Sequence, residues 1–391
     1  MGRIRVLQLI SGIAIGDQSG GAERHAIQVA GLLDREVYES RIFAMQSFQS
    51  PQERQWLETL NQLGLPVEGL MVWQHRLTSD LYRVYKKLRF VTTDFRPDII
   101  HSHSERADIL GMLIHLAHPL HPIAFRTVHL DQQWITQPLL GSVLSRFIFP
   151  FFFNQEIGVS QEIYTKLASR GFSHVDKISL CYNGINASQF ETTAPLEIDS
   201  IPIAINLDPP LVGIVGRLTE QKGHSVLLDA VSLVLEKRPV HLLIMGDGPL
   251  SPELQSQSNQ LNLEGNVEFL GVRSDVMKIL PNLDLFILPS RWEGFPTVIL
   301  EAMSKKVPVI ATDIPGSREL VRSDDTGTLV QVDNPQELSE AILYALDHPK
   351  ELQRMAERAY AFASEFTIEN TALCYEKIYS RAIEMKKPPA T

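Results

Sequence analysis

The sequence predicts an α/β protein made of two doubly wound parallel-sheet domains in tandem. Short apolar runs alternate with amphipathic stretches along most of the chain, and one turn- and proline-rich stretch interrupts this alternation. The length of 391 residues also exceeds that of one ordinary domain. Alternating strands and helices build parallel sheets with right-handed crossovers, so each half is expected to form its own sheet.

The first domain is predicted to span residues 1–190. Helical patterns such as "ERADILGMLIHLA" and "QEIYTKLASRG" separate several of its apolar runs. The predicted strands are Ile4–Ile10, Ser40–Ala44, Asp98–Ser102, Ile123–His129, Glu156–Val159 and Lys177–Cys181.

The stretch 191–210, "ETTAPLEIDSIPIAINLDPP", predicts a linker. The alternation restarts in a second domain, 211–365, with the predicted strands "LVGIVG", "VHLLIMG", "NVEFLG", "LDLFILPS", "VPVIAT" and "GTLVQV". A C-terminal helix within 366–391 is predicted to pack back on the first domain. Ligands of such folds bind outside the carboxyl ends of the strands, so the two domains are expected to face each other across a cleft.

Composition limits the function classes. The chain is 44% hydrophobic and 21% charged, with a formal net charge of −10, which disfavours a general nucleic-acid binder because phosphate neutralisation needs a basic face. The two cysteines, Cys181 and Cys374, lack Cys-x-x-Cys spacing, so neither a disulfide framework nor a zinc site is expected. Together with an N-terminus unlike a signal peptide, this favours the cytoplasm.

The segment 134–154, "WITQPLLGSVLSRFIFPFFFN", is strongly apolar, but Arg146 and two prolines make it a poor transmembrane span. The favoured interpretation is a buried helix that leads into the next strand. The alternative is an aromatic patch at the inner face of a membrane, which would make the protein peripheral there. Liposome flotation, with and without charge introduced at Phe151 and Phe152, would distinguish them.

The stretch "EGFPTVILEAM" places carboxylates at Glu293 and Glu301 in an otherwise apolar run. Pro296 suits the first turn of a helix, which is therefore predicted to start near Phe295. The two carboxylates would bracket a helix N-terminus, whose free N–H groups attract anions and hydroxyl oxygens. The alternative makes Glu293 a capping acid and Glu301 a solvated helix residue.

Two further motifs end predicted strands of the second domain. "GRLTEQKG" supplies Arg217 and Lys222, a spacing that suits a diphosphate, although most such cations are simply surface residues. "MGDGP" contributes Gly246 and Gly248 in a turn that suits a base or ribose lying across it.

The first domain offers glycines and histidines. Gly20 and Gly21 fall where a helix should begin, so their N–H groups could meet a phosphate, or they could simply serve packing. His101 and His103 end one strand and His129 the next. Strand alternation would place the first two on one face. No carboxylate or cysteine cluster accompanies them, so no metal site is predicted.

In this order, "GGAERH", "HSHSERAD", "GVSQE", "YNGI", "GRLTEQKG", "GDGP" and "EGFPTVILE" resemble the retaining glycosyltransferases of family 4, which have the GT-B fold. The resemblance covers about residues 4–380. It implies a nucleoside-diphosphate sugar, UDP- or GDP-type, held mainly by the second domain. The first domain would then lie on the acceptor side, and no metal or other cofactor would be needed.

The resemblance also implies residue roles. Arg217 and Lys222 would hold the diphosphate, Glu301 the ribose hydroxyls, and His103 the transferred sugar. The implied catalytic residues are His103, Arg217, Lys222 and Glu293, and His129 would lie on the acceptor side. The implied donor-binding residues are Gly20, Gly21, Arg217, Lys222, Gly246, Gly248, Glu293, Gly294, Phe295, Thr297, Val298 and Glu301.

The acceptor stays open among glycans, lipid-linked molecules and small molecules. Two alternatives also remain: a sugar-nucleotide 2-epimerase of the same fold, and a non-catalytic protein that binds sugar nucleotides.

Overall fold

The computed structural model describes residues 2–15, 20–73, 77–130, 138–172, 174–191 and 209–386. The chain divides into two compact units, unit 1 with Met1–Asn183 and Ile368–Thr391, and unit 2 with Gly184–Thr367. Most of the predicted linker at 191–210 lies outside the described residues. The C-terminal helix belongs to unit 1.

Unit 1 contains a seven-stranded parallel sheet in the order β3-β2-β1-β4-β5-β6-β7. Its strands are β1 Ile4–Ile10, β2 Tyr38–Ser47, β3 Val67–Val72, β4 Ile99–Ser102, β5 Ile123–Val128, β6 Gln155–Gly158 and β7 Ile178–Leu180. Six were predicted. The edge strand β3 was missed because Gly69 interrupts it, and a side chain at that glycine would overlap the carbonyl oxygen of Ala44.

The helices of unit 1 are α1 Gly21–Leu32, α2 Pro51–Gln62, α3 Leu77–Phe95, α4 Glu105–Ala117, α5 Pro138–Val143, α6 Phe149–Phe152, α7 Gln161–Ala168 and, from the C-terminus, α15 Ile368–Lys386. Tyr375 and Tyr379 of α15 are completely buried against Val6, Ile99 and Phe125 of the sheet. The last helix is thus part of the core of unit 1.

A disulfide joins Cys181, just after β7, to Cys374 on α15, with Cα atoms 6.1 Å apart. The expectation of no disulfide was wrong. Spacing rules detect cysteines that are close in sequence, whereas these lie 193 positions apart and meet because α15 packs beside β7. The argument for a reducing compartment therefore loses its basis, and the cytoplasmic location stays a prediction.

The apolar segment is described from residue 138 onward, as α5, a π-helical turn Leu144–Ile148 and α6. It leads into β6, with Phe149 and Phe153 buried, while Leu139, Phe147 and Phe151 are exposed. The interpretation as a buried helix thus holds for part of the segment, and membrane contact by the exposed part stays a prediction. Within the described ranges, no helix has the length and apolarity needed to cross a bilayer.

Unit 2 contains a six-stranded parallel sheet in the order β10-β9-β8-β11-β12-β13. Its strands are β8 Leu211–Val215, β9 His241–Met245, β10 Val267–Gly271, β11 Leu285–Leu288, β12 Val309–Thr312 and β13 Thr328–Val330. Its helices are α8 His224–Leu235, α9 Ser251–Gln260, α10 Val276–Ile279, α11 Thr297–Ser304, α12 Pro315–Arg318, α13 Pro335–Asp347 and α14 Pro349–Ala363. These strands lie at the predicted runs, which confirms two doubly wound α/β units.

The strand order reverses once in each sheet, between β1 and β4 in unit 1 and between β8 and β11 in unit 2. At such a switch point the connections leave toward opposite faces, and a crevice opens outside the carboxyl ends of the two strands. The loops after β1, β4, β8 and β11 are therefore where ligands are expected to bind.

Candidate functional site

In unit 2, a buried ion pair bridges the loops that leave the two switch-point strands. Lys222 lies in a short 3₁₀ turn after β8, and its Nζ is 2.5 Å from Oε1 of Glu293, which follows β11. Ser290 donates to the same carboxylate oxygen at 2.7 Å, and Gln221 donates to Oε2 at 3.4 Å. The lysine and glutamate side chains are only 16% and 7% exposed. The pair is thus held rigidly.

Glycines allow these loops to pack this closely. Gly223 adopts φ +67° after Lys222, where a side chain would overlap the carbonyl oxygen of Pro289. A side chain on Gly246, which adopts φ +145°, would likewise overlap the carbonyl oxygen of Gly216. Larger residues would push the loops after β8, β9 and β11 apart. The two glycines therefore help to maintain the shape of this edge.

The loops after β8 and β9 are joined directly. The N–H of Leu218 donates to the carbonyl of Asp247 at 3.0 Å, and a Cβ on Gly248 would come within 2.5 Å of the carbonyl oxygen of Leu218. Arg217 lies on the same loop as Lys222, with an exposed side chain. The structure thus places the cations of "GRLTEQKG" beside the turn of "MGDGP".

Helix α11 starts at Thr297, two residues later than predicted, with Pro296 as its N-cap. Fixed at φ −77°, this proline precedes the helix and makes no side-chain cap. The first-turn N–H groups, including those of Thr297 and Val298, therefore form a positive helix end. Gly294 and Phe295 are buried just before it.

Both carboxylates of this segment are buried, since Glu293 is 8% and Glu301 is 7% exposed. Glu301 lies in the second turn of α11, as predicted. The alternative of a solvated helix residue was wrong because this face of α11 packs inward, between Leu300 and Ala302. A buried carboxylate is costly unless partners compensate it, and for Glu293 these are Lys222 and Ser290.

His224, the first residue of α8, was missed by the sequence analysis. It is buried, and neither ring nitrogen has a hydrogen-bond partner within the described residues. Burial, and secondarily the nearby Lys222, lowers the pKa of His224 to about 3. The imidazole is therefore neutral near pH 7 and can donate or accept one hydrogen bond beside Lys222. A single histidine after "KG" carries no pattern that would reveal this.

In unit 1, His103 follows β4 at the switch point and is buried. Its Nε2 lies 2.8 Å from Oε1 of Gln8 on β1, and its Nδ1 lies 3.3 Å from Nε2 of His129 after β5. The His101 ring stacks on it with centroids 4.3 Å apart, so the prediction that both share one face was right. Burial lowers the pKa of all three histidines well below the usual value, with neighbouring histidines adding to the effect.

A hydrogen-bond chain fixes the tautomers of this cluster. The Gln8 carbonyl can only accept, so His103 carries its proton on Nε2, and the Gln8 amide donates to the Tyr379 hydroxyl at 3.3 Å. Tyr379 then donates to Nδ1 of His101, whose Nε2 donates to Thr127 at 2.8 Å.

The chain continues through Thr127, which donates to the Tyr375 hydroxyl at 2.8 Å. Tyr375 donates in turn to Nε2 of His25 on α1, at 3.1 Å. Every donor from His103 to Tyr375 thus finds an acceptor. The sequence analysis missed the linking residues, although Gln8 and Thr127 are polar positions inside apolar strands and the tyrosines lie four apart on one helix.

The glycines of unit 1 are placed at the start of α1, as predicted. Gly20 is the N-cap, but its N–H already donates to Oε2 of Glu23 at 2.9 Å, so it could meet a phosphate only if that carboxylate moved. Gly21 is the first helical residue, and a Cβ there would meet nothing within 4 Å. Of the two, Gly21 therefore leaves room for a close approach.

Among the described residues, no three histidine, cysteine, aspartate or glutamate side chains come together as metal ligands. His25, His101, His103 and His129 are instead engaged with one another and with hydroxyl and amide groups.

Comparisons with known proteins follow the same division of the chain. The family model described as Glycosyltransferase Family 4 matches residues 19–189, and the model described as Glycosyl transferases group 1 matches residues 197–362. The first match falls in unit 1 except for its last residues, 184–189, and the second falls in unit 2.

Two curated relatives illustrate the sequence similarity. An uncharacterized glycosyltransferase of Methanocaldococcus jannaschii is 28% identical over 263 residues, covering 64% of this chain and 63% of that protein. A UDP-Gal:alpha-D-GlcNAc-diphosphoundecaprenol alpha-1,3-galactosyltransferase of Escherichia coli is 27% identical over 284 residues, covering 68% and 69%. The alignment with the first thus spans less than two thirds of that relative.

Solved structures extend the fold comparison over nearly the whole chain. Anabaena HepE, in complex with UDP and glucose, superposes with a TM-score of 0.81 at 23% identity, covering 97% of this chain and all of that one. A glycosyltransferase from Rickettsia africae gives a TM-score of 0.78 at 20% identity, covering 98% and 99%. At these identities the likeness shows the shared fold. With both family models matched in order, the chain belongs to the family 4 type of glycosyltransferases, with the GT-B fold.

Proposed function

We propose that this protein is a retaining, metal-independent glycosyltransferase that moves a sugar from a nucleoside-diphosphate sugar to an acceptor hydroxyl. The observation that carries the proposal is the Lys222–Glu293 pair at the switch point of unit 2. It places a fixed positive charge beside an uncapped helix start, in the half of the chain that matches the group 1 transferase model. That combination suits a diphosphate.

The charge that develops on the leaving diphosphate would be stabilised by groups already in position. Glu293 and Gln221 constrain the Lys222 loop, so the ammonium needs little reorganisation, while Arg217 adds a forked donor from the exposed side. Amides at the start of α11 add partial positive charge. Preorganised donors of this kind lower the barrier where negative charge grows.

Retention would follow from attack on the same face as departure. A phosphate oxygen of the leaving group takes the proton of the acceptor hydroxyl as the new glycosidic bond forms and the sugar–phosphate bond breaks. In unit 1, His103 would contact the transferred sugar as a neutral imidazole, because burial lowers its pKa. His129, which reaches His103 at 3.3 Å, would lie on the acceptor side.

The nucleotide is proposed to be UDP or GDP, held by the loops after β8 and β9, with Glu301 on the ribose. HepE was solved with UDP and glucose, and the Escherichia coli relative is named for a UDP-sugar donor and a diphosphoundecaprenol-linked acceptor. These names support a nucleotide-sugar donor. The acceptor class here is a glycan, a lipid-linked molecule or a small molecule.

The test is Lys222→Ala, assayed with a panel of nucleotide sugars and acceptors by mass spectrometry. Loss of one preorganised charge should lower turnover roughly ten- to a thousandfold. Lys306→Ala is the matched control, since Lys306 also pairs with a glutamate in unit 2, Glu357 at 3.0 Å, but is exposed. Equal turnover of the Lys222 variant and the control would contradict the proposal.

The same assay separates the alternatives. An isomerised product from donor alone would indicate a 2-epimerase, and ligand-stabilised melting without any product would indicate a binding protein. The proton–proton coupling of the product's anomeric centre reports retention, and full activity in excess chelator is the expected result for a metal-independent enzyme. Inversion or chelator-sensitive turnover would correct those two parts of the proposal.

A further inference from the structure

The hydrogen-bond chain of unit 1 ends at a donor that has no acceptor. Tyr375 donates to Nε2 of His25, and a neutral imidazole has one N–H group, so the proton of His25 lies on Nδ1. His25 is only 4% exposed, and its Nδ1 is buried without a hydrogen-bond partner within the part of the chain that the structure describes. A buried donor left unsatisfied is unfavourable and calls for a partner from outside the fold.

The surroundings of His25 leave a way for a ligand to approach. Gly21 lies one turn earlier on the same face of α1, and a Cβ at Gly21 would meet nothing within 4 Å. The His25 ring packs at an angle of 73° against the ring of His129, with centroids 5.1 Å apart. His129 is partly exposed, whereas His25, His101 and His103 are buried. The path from solvent to the unpaired N–H therefore leads past His129.

The charges around this N–H group favour a neutral oxygen over an anionic one. Burial lowers the pKa of His25 to about 3, so the imidazole carries no positive charge near pH 7. Glu23 is buried in the first turn of α1, where its Oε2 accepts from the N–H of Gly20 at 2.9 Å. This carboxylate already compensates the positive helix end and would repel a phosphate. A hydroxyl oxygen, in contrast, accepts well from a neutral N–H.

The position of His25 relates it to the two histidines that the proposed function assigns to substrates. Its ring centroid lies 6.2 Å from that of His103 and 5.1 Å from that of His129. A sugar carries hydroxyls on successive carbons, so neighbouring imidazoles can each meet a different one. His25 thus adds a third neutral imidazole to the set, and it is the one whose N–H is still unpaired.

We propose that Nδ1–H of His25 donates a hydrogen bond to a hydroxyl of a sugar bound beside His103 and His129. The sugar is either the one being transferred or that of the acceptor, and the experiment distinguishes them. This inference deepens the proposed function and rests on it for the identity of the ligand, but the contact itself does not require transfer.

Two substitutions separate the two nitrogens of the ring. Asparagine places its amide nitrogen near the position of Nδ1, and glutamine reaches the position of Nε2. His25→Asn therefore keeps the proposed donor and loses the bond to Tyr375, whereas His25→Gln keeps the bond to Tyr375 and loses the proposed donor. Each variant is the matched control for the other, and melting temperatures confirm that both fold.

Affinities of the full-length proteins are measured by isothermal titration with UDP-glucose and GDP-mannose, and with UDP and GDP alone. For the nucleotide sugar that binds more tightly, the ratio of its affinity to that of its nucleotide isolates the contribution of the sugar. If the transferred sugar is the partner, His25→Gln should lower this ratio about three- to tenfold and His25→Asn less than about twofold. If the acceptor sugar is the partner, the same difference should occur in the KM for the acceptor.

The ¹H and ¹⁵N resonances of the His25 Nδ1–H group report the contact directly. In the wild-type protein the proton should move downfield when the sugar-bearing ligand is added. Three results would overturn the proposal: an equal shift with the nucleotide alone, a greater loss in His25→Asn than in His25→Gln in both measurements, or wild-type affinity and KM in both variants. Failure of transfer together with sugar binding that is weakened only in His25→Gln would instead count against the proposed function alone.

Discussion

At the scale of single residues, the candidate functional residues of unit 1 and those of unit 2 use different chemistry. Unit 2 presents charge, with Lys222 held by Glu293 and Ser290. Unit 1 presents neutral imidazoles whose proton positions are set by hydrogen bonds to their neighbours. The first of these is the bond from Nε2 of His103 to the side-chain carbonyl of Gln8. A neutral, oriented imidazole suits hydrogen bonding to a sugar hydroxyl, while the fixed ammonium suits a phosphate.

Tyr379→Phe tests whether the hydrogen-bond chain positions His103. The variant keeps the ring but leaves the Gln8 amide and Nδ1 of His101 without the hydroxyl they share, which costs about 1–3 kcal/mol for buried groups. If one to two kcal/mol of this cost is added to the activation free energy, kcat should fall roughly five- to thirtyfold. The ¹⁵N shifts of His103 should also show a mixture of tautomers.

Tyr38→Phe is the control for that measurement. The Tyr38 hydroxyl also contacts α15, at Ser380 and the carbonyl of Glu376, but lies outside the chain that leads to His103. It should lower stability without changing kcat or the His103 tautomer. If both variants lower kcat equally, the chain has only a structural role.

Sequence reasoning located the residues that carry a pattern and missed those defined by contact. Lys222 and Glu293 were found because each belongs to a motif at a strand end, although nothing in the sequence shows that they form an ion pair. Gln8 and Tyr379 lie 371 positions apart and were missed. Partners this distant follow from packing, which a local pattern does not encode.

At the scale of elements, α15 holds unit 1 together from the far end of the chain. It packs Tyr375 and Tyr379 into the core, and the disulfide joins Cys374 to Cys181 beside β7. Periodicity predicted the helix, and its return to the first domain was expected only because a final helix often packs back in this way; neither pointed to the covalent link. Hydrophobic patterns report which face is buried, whereas a cysteine pair requires knowledge of which neighbour that face meets.

Reduction of this disulfide should destabilise unit 1 by about 2–4 kcal/mol, the usual effect of a cross-link that restricts the unfolded chain. Amide exchange of α15 and of β7 should accelerate in dithiothreitol, and the melting temperature should fall. The Cys181→Ser/Cys374→Ser variant provides the comparison, because its melting should be the same with and without reductant. Equal reductant sensitivity of both proteins would show that the cysteines are not the cause.

At the scale of the whole molecule, an acidic protein encloses a set of histidines that stay uncharged when folded. Burial lowers the pKa of His25 to about 3 and lowers those of His101, His103 and His129 well below 6.5. The hydroxyls and amides around them provide hydrogen bonds but no counter-charge. Protonation in the folded state is therefore strongly unfavourable.

The sign of the resulting pH dependence follows from proton binding. Below the unfolded pKa of 6.5 the unfolded chain takes up to four protons at these sites that the folded protein does not, so stability is complete above pH 6.5 and falls as pH drops toward the folded values. Asp108 and Glu105 work in the opposite sense by at most one proton each, because burial raises the pKa of Asp108 to about 6 and also raises that of Glu105. Two net protons correspond to about 3 kcal/mol per pH unit.

Unit 1 should therefore lose stability between pH 6.5 and 5, which amide exchange of β1 and β4 in the intact protein would measure. His25→Phe removes one of the four sites, so its stability should decline less steeply as pH falls, by about 1.4 kcal/mol per pH unit, whatever its stability at pH 7.5. The comparison of slopes separates titration from simple damage to packing. A wild-type stability that is flat or rising toward pH 5, or a variant with an unchanged slope, would mean that these histidines do not remain neutral in the fold.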